Sequence, residues 1–309
     1  MNQITDFLAT IGEEVIDVDE ESFLLFAQDI PTNNLGMLDA RAPSVEVTIN
    51  GNDYTIHQSP SLLSSHRAGG TTGAVLWKIT PIFAEWISSP SNPLWTHTLL
   101  THTSTVAELG TGISALVALS LAPSVQHYIA TDQEYVRKLF RTNLDANVST
   151  TTSKSKSKSK GSKPKSKVSA SATPSAINNV SFTTLDWETD QAASLKECID
   201  ADGAEDEEDR GFDLLLSCDC VYNEALVAPF VRTCAEICRL RPVYVDGAQE
   251  GRRPTVCIIA QQQRSPDVFE AWLREAMREF RVWRVSDEVL GKGLGGGSGY
   301  LVHLLLAKE

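Results

Sequence analysis

The residues Glu108-Leu109-Gly110-Thr111-Gly112 stand between two apolar runs, Val106–Leu109 and Ile113–Leu121. A strand, a glycine turn and a helix in that order let a ligand approach the backbone closely, with Gly110, Thr111 and Gly112 offering amides to its polar groups. A plain tight turn would use the same glycines, so a second group has to decide. Asp132 closes the next strand-like run, Tyr128–Asp132. It stands about 20 residues on, where a carboxylate meets the ribose hydroxyls of a nucleoside cofactor. The combination suits a dinucleotide or S-adenosylmethionine. A dinucleotide fingerprint asks for a third glycine, and Ala115 occupies that place.

A second group is Ser217-Cys218-Asp219-Cys220-Val221-Tyr222, at the end of an apolar run that begins at Asp213. A strand-end aspartate can cap the next helix, and a tyrosine can simply pack. Asn223 is itself a competent cap for a helix starting at Glu224, which leaves Asp219 for chemistry. Trp77 and Trp187 are large aromatics that ordinary core packing would also explain. Gln261-Gln262-Gln263-Arg264 reads as a solvated loop after a strand over Thr255–Ala260, with no catalytic role for Arg264. The six cysteines all fall in the second half of the chain, most of them in apolar runs, as buried reduced thiols do. Neither Cys218-x-Cys220 nor Cys234-xxx-Cys238 has a histidine near it, which speaks against zinc. A hydrolase triad has no Gly-x-Ser-x-Gly elbow to start from.

These groups need a scaffold that gathers strand ends. From Val106 onward, apolar runs of strand length alternate with helical patterns: a helix over Glu134–Asn147, another over Glu224–Leu240 and another over Pro266–Glu279. That order implies a mainly parallel, doubly wound sheet covered on both faces. Phe280–Val285 and Tyr300–Ala307 enclose a glycine-rich stretch and no helix, so they should pair antiparallel. Upstream, Val45–Ile49, Asn50-Gly51 and Tyr54–Ile56 spell a β-hairpin. Gly73–Trp86 reads as a helix with Pro81 near its first turn. The expected fold is α/β, a Rossmann-like seven-stranded sheet with an antiparallel last strand. An acidic extension with the hairpin would occupy residues 1–72, and the main domain residues 73–309. Two inserts interrupt the domain: a Ser/Lys-rich stretch at 149–175, expected to be disordered, and an acidic loop at 200–209.

Of the 309 residues 42% are hydrophobic and 22% charged, an ordinary globular balance that excludes a wholly disordered chain. Twenty-seven basic residues against 40 acidic ones leave a net charge of −13, which gives no support to a cationic surface for nucleic acid. The Ser/Lys insert could meet RNA or act as a nuclear signal, but its lysines alternate with serine and read as a solvated loop. No apolar run approaches the ~20 residues that span a bilayer, and the start lacks the pattern of a secretory signal. The expectation is a monomer in the cytoplasm, with the nucleus as the alternative.

The Glu108–Gly112 motif and the antiparallel ending resemble the seven-strand S-adenosylmethionine-dependent methyltransferases. Ser114 stands where their first motif commonly has its last glycine. Gly73-xxx-Trp77, Leu185-Asp186-Trp187 and Asp219-xx-Tyr222 follow in the order of the protein-lysine methyltransferase branch, and the arrangement with its insert is similar to a fungal ribosomal-protein-modifying group. The resemblance implies S-adenosyl-L-methionine as cofactor, with Gly110, Thr111, Gly112 and Asp132 binding it, Trp187 and Cys218 walling the adenine, and Trp77 covering it from a helix. It implies that Asp219 attracts and orients a substrate lysine and that Tyr222 borders the amine channel. The partner would be a basic large-subunit ribosomal protein, steered by the acidic surface. Other protein or small-molecule acceptors remain as alternatives, as do a nicotinamide-dependent oxidoreductase and a non-catalytic cofactor-binding module.

Overall fold

The computed structural model describes residues 3–31, 35–65, 70–153, 178–198, 211–244 and 253–309. Its helices are α1 (Gln3–Ile11), α2 (Val18–Phe26), α3 (Pro60–Leu63), α4 (Ile79–Ser88), α5 (Pro93–Thr96), α6 (Leu116–Leu121), α7 (Glu134–Ser153), α8 (Val227–Cys238), α9 (Pro266–Glu279) and α10 (Asp287–Leu294). Its strands are β1 (Gly12–Val15), β2 (Ser44–Ile49), β3 (Asn52–His57), β4 (Thr105–Leu109), β5 (His127–Asp132), β6 (Val180–Thr184), β7 (Leu214–Cys218), β8 (Val256–Gln262), β9 (Phe280–Val285) and β10 (Tyr300–Ala307).

The main sheet runs β1-β9-β10-β8-β7-β4-β5-β6. From β8 to β6 every pairing is parallel. β10 lies antiparallel between β8 and β9. The seven expected strands are present, and β1 adds an eighth, antiparallel to β9. Successive side chains of a strand point to opposite faces. In β7, Leu214 and Leu216 enter one core while Leu215 enters the other; in β8, Ile258 and Ile259 divide the same way. One core is roofed by α1, the β2–β3 hairpin, α4, α6 and α7, the other by α2, α8 and α9. The N-terminal residues are built into both, through Ile4, Phe7 and Ile11 on one side and Val15 and Leu25 on the other.

The hairpin turns at Asn50 and Gly51, both at positive φ, as a two-residue turn requires. The edge of β3 is then satisfied by a helix. Asn143 and Asn147 of α7 accept from the amides of His57 (2.8 Å) and Thr55 (2.9 Å), and return donors to the carbonyls of the same two residues. Spaced by four, the two side chains share one helix face.

Several boundaries differ from the sequence reading. Residues 72–74 form a short 3-10 turn and the helix starts only at Ile79, so Trp77 lies ahead of it, bridged to Met37. The helix after the glycine turn starts at Leu116, because Ala115 is left-handed at φ 57. A helix, α10, does intervene between β9 and β10. The α7 backbone runs to Ser153, five residues into the insert. The rest of the insert and the acidic loop at 200–209 lie outside the described residues.

Candidate functional site

The parallel strands deliver their C-terminal ends to one edge, where ligands of such sheets bind. Glu108 does not face that edge. It is 2% exposed, and accepts from the Thr111 hydroxyl and the Tyr128 hydroxyl, each at 2.7 Å. Burial pushes its carboxyl up to about 7, against the pull of those two donors.

The amides of Gly110 and Thr111 are also spoken for. Both donate to the Thr131 carbonyl, at 2.9 and 3.1 Å. The Gly112 amide donates to Asp132 Oδ2 at 2.8 Å. The expectation that all three amides face a ligand is therefore corrected: the turn folds back on the end of β5 and satisfies its donors internally, as buried amides must. What the turn supplies is room. At Gly110, with φ +68, a Cβ would lie 2.3 Å from Cys220 Sγ and 3.5 Å from the Trp187 ring.

Asp132 closes β5. Its two oxygens accept from Gly112 and, at 2.7 Å, from the amide of Gln133. One bond to each oxygen leaves further lone pairs for a diol. Burial lifts its carboxyl to about 6, opposed by the same amides. Trp187 packs edge-on against Phe230, centroids 5.0 Å apart, and its carbonyl is fixed by Arg232 at 2.7 Å. Its indole N–H is buried without a partner. A carboxylate with spare acceptors, an unclaimed indole donor and a side-chain-free turn between them fit a nucleoside group.

The 3-10 turn at Thr72–Ala74 joins this end to the other candidate residues. The Ile113 amide donates to the Gly73 carbonyl at 3.0 Å, while Trp77 Nε1 donates to the Thr72 carbonyl at 3.0 Å. The Thr72 hydroxyl donates to the Tyr222 hydroxyl at 3.4 Å, and Tyr222 is 39% exposed at the mouth. Cys218 ends β7 beside Thr80, its thiol pushed far above the ordinary range, chiefly by burial. Asn223 caps the turn at Glu224 by accepting from Ala225 at 3.1 Å, so Asp219 caps nothing there.

Asp219 instead binds Arg264. Nη1 meets Oδ1 and Nη2 meets Oδ2, both at 2.6 Å. The guanidinium also lies 4.9 Å from the Trp77 ring centroid. Gln261–Arg264 is thus not a solvated loop: β8 extends to Gln262, and Gln261 and Gln263 are buried. The sequence reading missed Arg264 because nothing local marks it. The apolar run Val256–Ala260 ends at the glutamines, so the sequence pattern does not show that the strand continues.

No protein-family model matches the chain. Relatives do. The chain is 29% identical over 254 residues to "Ribosomal lysine N-methyltransferase 5" of Zygosaccharomyces rouxii, covering 78% of this chain and 76% of that one. It is 23% identical over 321 residues to the protein of the same name from Vanderwaltozyma polyspora, covering 89% and 96%. The chain resembles the fungal ribosomal lysine N-methyltransferases 5. It is also 28% identical over 282 residues to a Schizosaccharomyces pombe protein named "Diaminohydroxyphosphoribosylamino-pyrimidine deaminase". There the match takes in 90% of this chain but spans only 55% of that protein, so the deaminase name belongs to a longer molecule. Among solved structures, one titled "A putative sam-dependent methyltransferase from Streptococcus mutans" overlays with a TM-score of 0.43 at 10% identity, over 86% of this chain and 56% of that one. That likeness is too loose to carry an argument.

Proposed function

We propose that this protein is an S-adenosyl-L-methionine-dependent protein-lysine N-methyltransferase whose acceptor is a basic large-subunit ribosomal protein. The observation that carries the reading is Asp132 facing the Gly110–Gly112 turn, with the unpaired Trp187 indole beside it. The names of the yeast relatives support the acceptor class. When bound, the cofactor supplies a sulfonium-activated methyl group, so that the N–CH3 bond forms as the CH3–S bond breaks and sulfur keeps the electron pair.

The protein's part is holding and orienting. Asp132 accepts from the two ribose hydroxyls, a charge-assisted arrangement. Trp187 and Cys218 wall the base, Trp77 covers the cofactor, and Tyr222 borders the entrance for the acceptor side chain. Because the methyl group arrives activated, much of the acceleration comes from alignment of amine and methyl carbon. The acceptor lysine must reach the site without its proton, which passes to water, since an ammonium has no lone pair. The reading carries a monomer in the cytoplasm that touches neither membrane nor nucleic acid directly.

Calorimetric titration with S-adenosylhomocysteine and, separately, NAD tests it. Binding of S-adenosylhomocysteine that is lost in Asp132→Ala supports the reading. Tritiated-methyl labelling of large-subunit ribosomal proteins then identifies the acceptor. Binding of NAD alone would send the assignment to a nicotinamide enzyme.

A further inference from the structure

A lone carboxylate at the amine entrance would work against the reaction it serves. A free lysine has a pKa near 10.4, and an anion close by stabilises its ammonium form. The structure presents Asp219 differently. Its side chain is 4% exposed and its partner Arg264 is 25% exposed, so the carboxylate is shielded from solvent and the guanidinium partly so. Two parallel contacts of 2.6 Å join the two groups, and Oδ1 also accepts from the Gln262 amide at 3.1 Å. The guanidinium is stacked on Trp77 and reaches Gln262 Oε1 at 3.3 Å. Fork and stack together are arginine geometry that a lysine cannot reproduce. Asp219 itself has φ +65, in the left-handed region that is costly for a non-glycine residue. Its amide is fixed on the Ala260 carbonyl at 2.7 Å. The backbone is thus bent to aim this carboxylate at β8 and its arginine.

We infer that Arg264 is a positioning residue that cancels the charge of Asp219, so that the acceptor lysine binds as the neutral, nucleophilic amine. This rests on the lysine-methyltransferase reading above. The paired carboxylate keeps its lone pairs and its direction but loses most of its field. Around it, Cys218 and Cys220 are held neutral by burial. Tyr300, from β10, is pushed up to about 12 by burial and by Asp219. Tyr222 contributes a hydroxyl at the mouth. Glu108 and Asp132 bring their carboxyls from the cofactor end. Removing the arginine leaves an uncompensated anion against the acceptor.

The test measures steady-state methylation of the ribosomal protein that the wild type labels, from pH 6 to 10 in round figures, a range that spans the lysine titration. Wild type, Arg264→Gln, Arg264→Lys, Asp219→Asn and the double variant Asp219→Asn/Arg264→Gln are compared, and each is titrated with S-adenosylhomocysteine. In Arg264→Gln, kcat should fall at least about tenfold near neutrality and recover at high pH, its midpoint moved up by about one unit or more, while KM does not rise. Arg264→Lys should shift less. Asp219→Asn, with the cation left uncompensated, should move the midpoint down and raise KM. The double variant should return the midpoint to that of wild type. An Arg264→Gln loss that is the same at every pH, or a double variant that keeps the shifted midpoint, would overturn the inference. Should Arg264→Gln fail to fold, the downward shift in Asp219→Asn carries the test, and its absence overturns the inference equally. A wild type that binds S-adenosylhomocysteine but labels no ribosomal protein would strike the acceptor reading instead, a result distinct from either.

Discussion

At Gly110 the protein needs an amino acid with no side chain, for two separate reasons. The backbone is left-handed, and a Cβ would overlap the Cys220 sulfur. Gly110→Ala should weaken S-adenosylhomocysteine binding by about tenfold or more and lower stability by at least about 1–2 kcal/mol from the backbone alone, read by calorimetry and by urea unfolding. Glu108 makes a second residue-scale prediction. Its carboxyl is raised from 4.5 to about 7, so the folded protein holds a proton that the unfolded chain releases between those values. The contribution of this group to stability is therefore fully present below pH 4.5 and is lost as pH rises through about 7. Glu108→Gln keeps an oxygen acceptor for Thr111 and Tyr128 and carries no charge to desolvate. The variant should flatten that slope and be the more stable protein at pH 8, by at most about 3 kcal/mol. Urea midpoints measured across the pH range check it. A slope unchanged from wild type would mean that Glu108 is ionised at neutral pH.

At the scale of elements, β1 and α2 are fastened to the sheet by charge as well as by apolar contact. Glu21, 5% exposed, takes Arg284 at 2.6 Å and His303 at 3.3 Å, while Glu14 takes Arg281 of β9 in a bidentate pair. Glu21→Ala leaves the buried His303 without its carboxylate and Arg284 with only the exposed Glu13, and should cost about 2 kcal/mol. Asp19→Ala, whose pair with Arg274 is largely exposed, should cost well under about 1 kcal/mol. Chemical denaturation of the two variants side by side distinguishes the cases.

The same elements show what was legible in the sequence. The strands β4, β5, β7 and β8 announced themselves by short apolar runs, and the hairpin by Asn50-Gly51, because those signals are local; β6, Val-Ser-Phe-Thr-Thr, gave no such run. β1 was not legible: Gly12-Glu13-Glu14-Val15 carries two acids and becomes a strand only because β9 offers an edge with Arg281 and Arg284 on it. The role of Asn143 and Asn147 was not legible either, since their partners, His57 and Thr55, are distant in sequence. In the site, Gly110, Gly112 and Asp132 were legible from spacing and do come together. The pairing of Asp219 with Arg264 was not, because it depends on one backbone bend and on how far β8 extends.

For the whole molecule, the extension and the α/β part form continuous cores. Removing residues 3–29 would strip β1 from the edge of β9 and uncover apolar surface on both faces of the sheet. The truncated chain should be recovered in aggregates, or else should unfold at markedly lower denaturant, as sedimentation and urea unfolding would report. The net charge of −13 makes a further prediction under the proposed function. Steering of a basic acceptor is screened by salt. The kcat/KM for the ribosomal protein should therefore fall several-fold on going from low to physiological ionic strength, chiefly through KM, while S-adenosylhomocysteine affinity changes little.

The order of the sheet also sets a timetable for folding. β10, the last in sequence among the described strands, lies between β8 and β9 rather than at an edge, and β1, the first of them, waits for β9. Contacts between the two ends of a chain form late and slowly, since a long loop must close before they give anything back. Until β10 is in place, β9 has no link to β8, and β1 has no edge of the main sheet to join. The parallel part of the sheet should therefore form first, with β1 docking last.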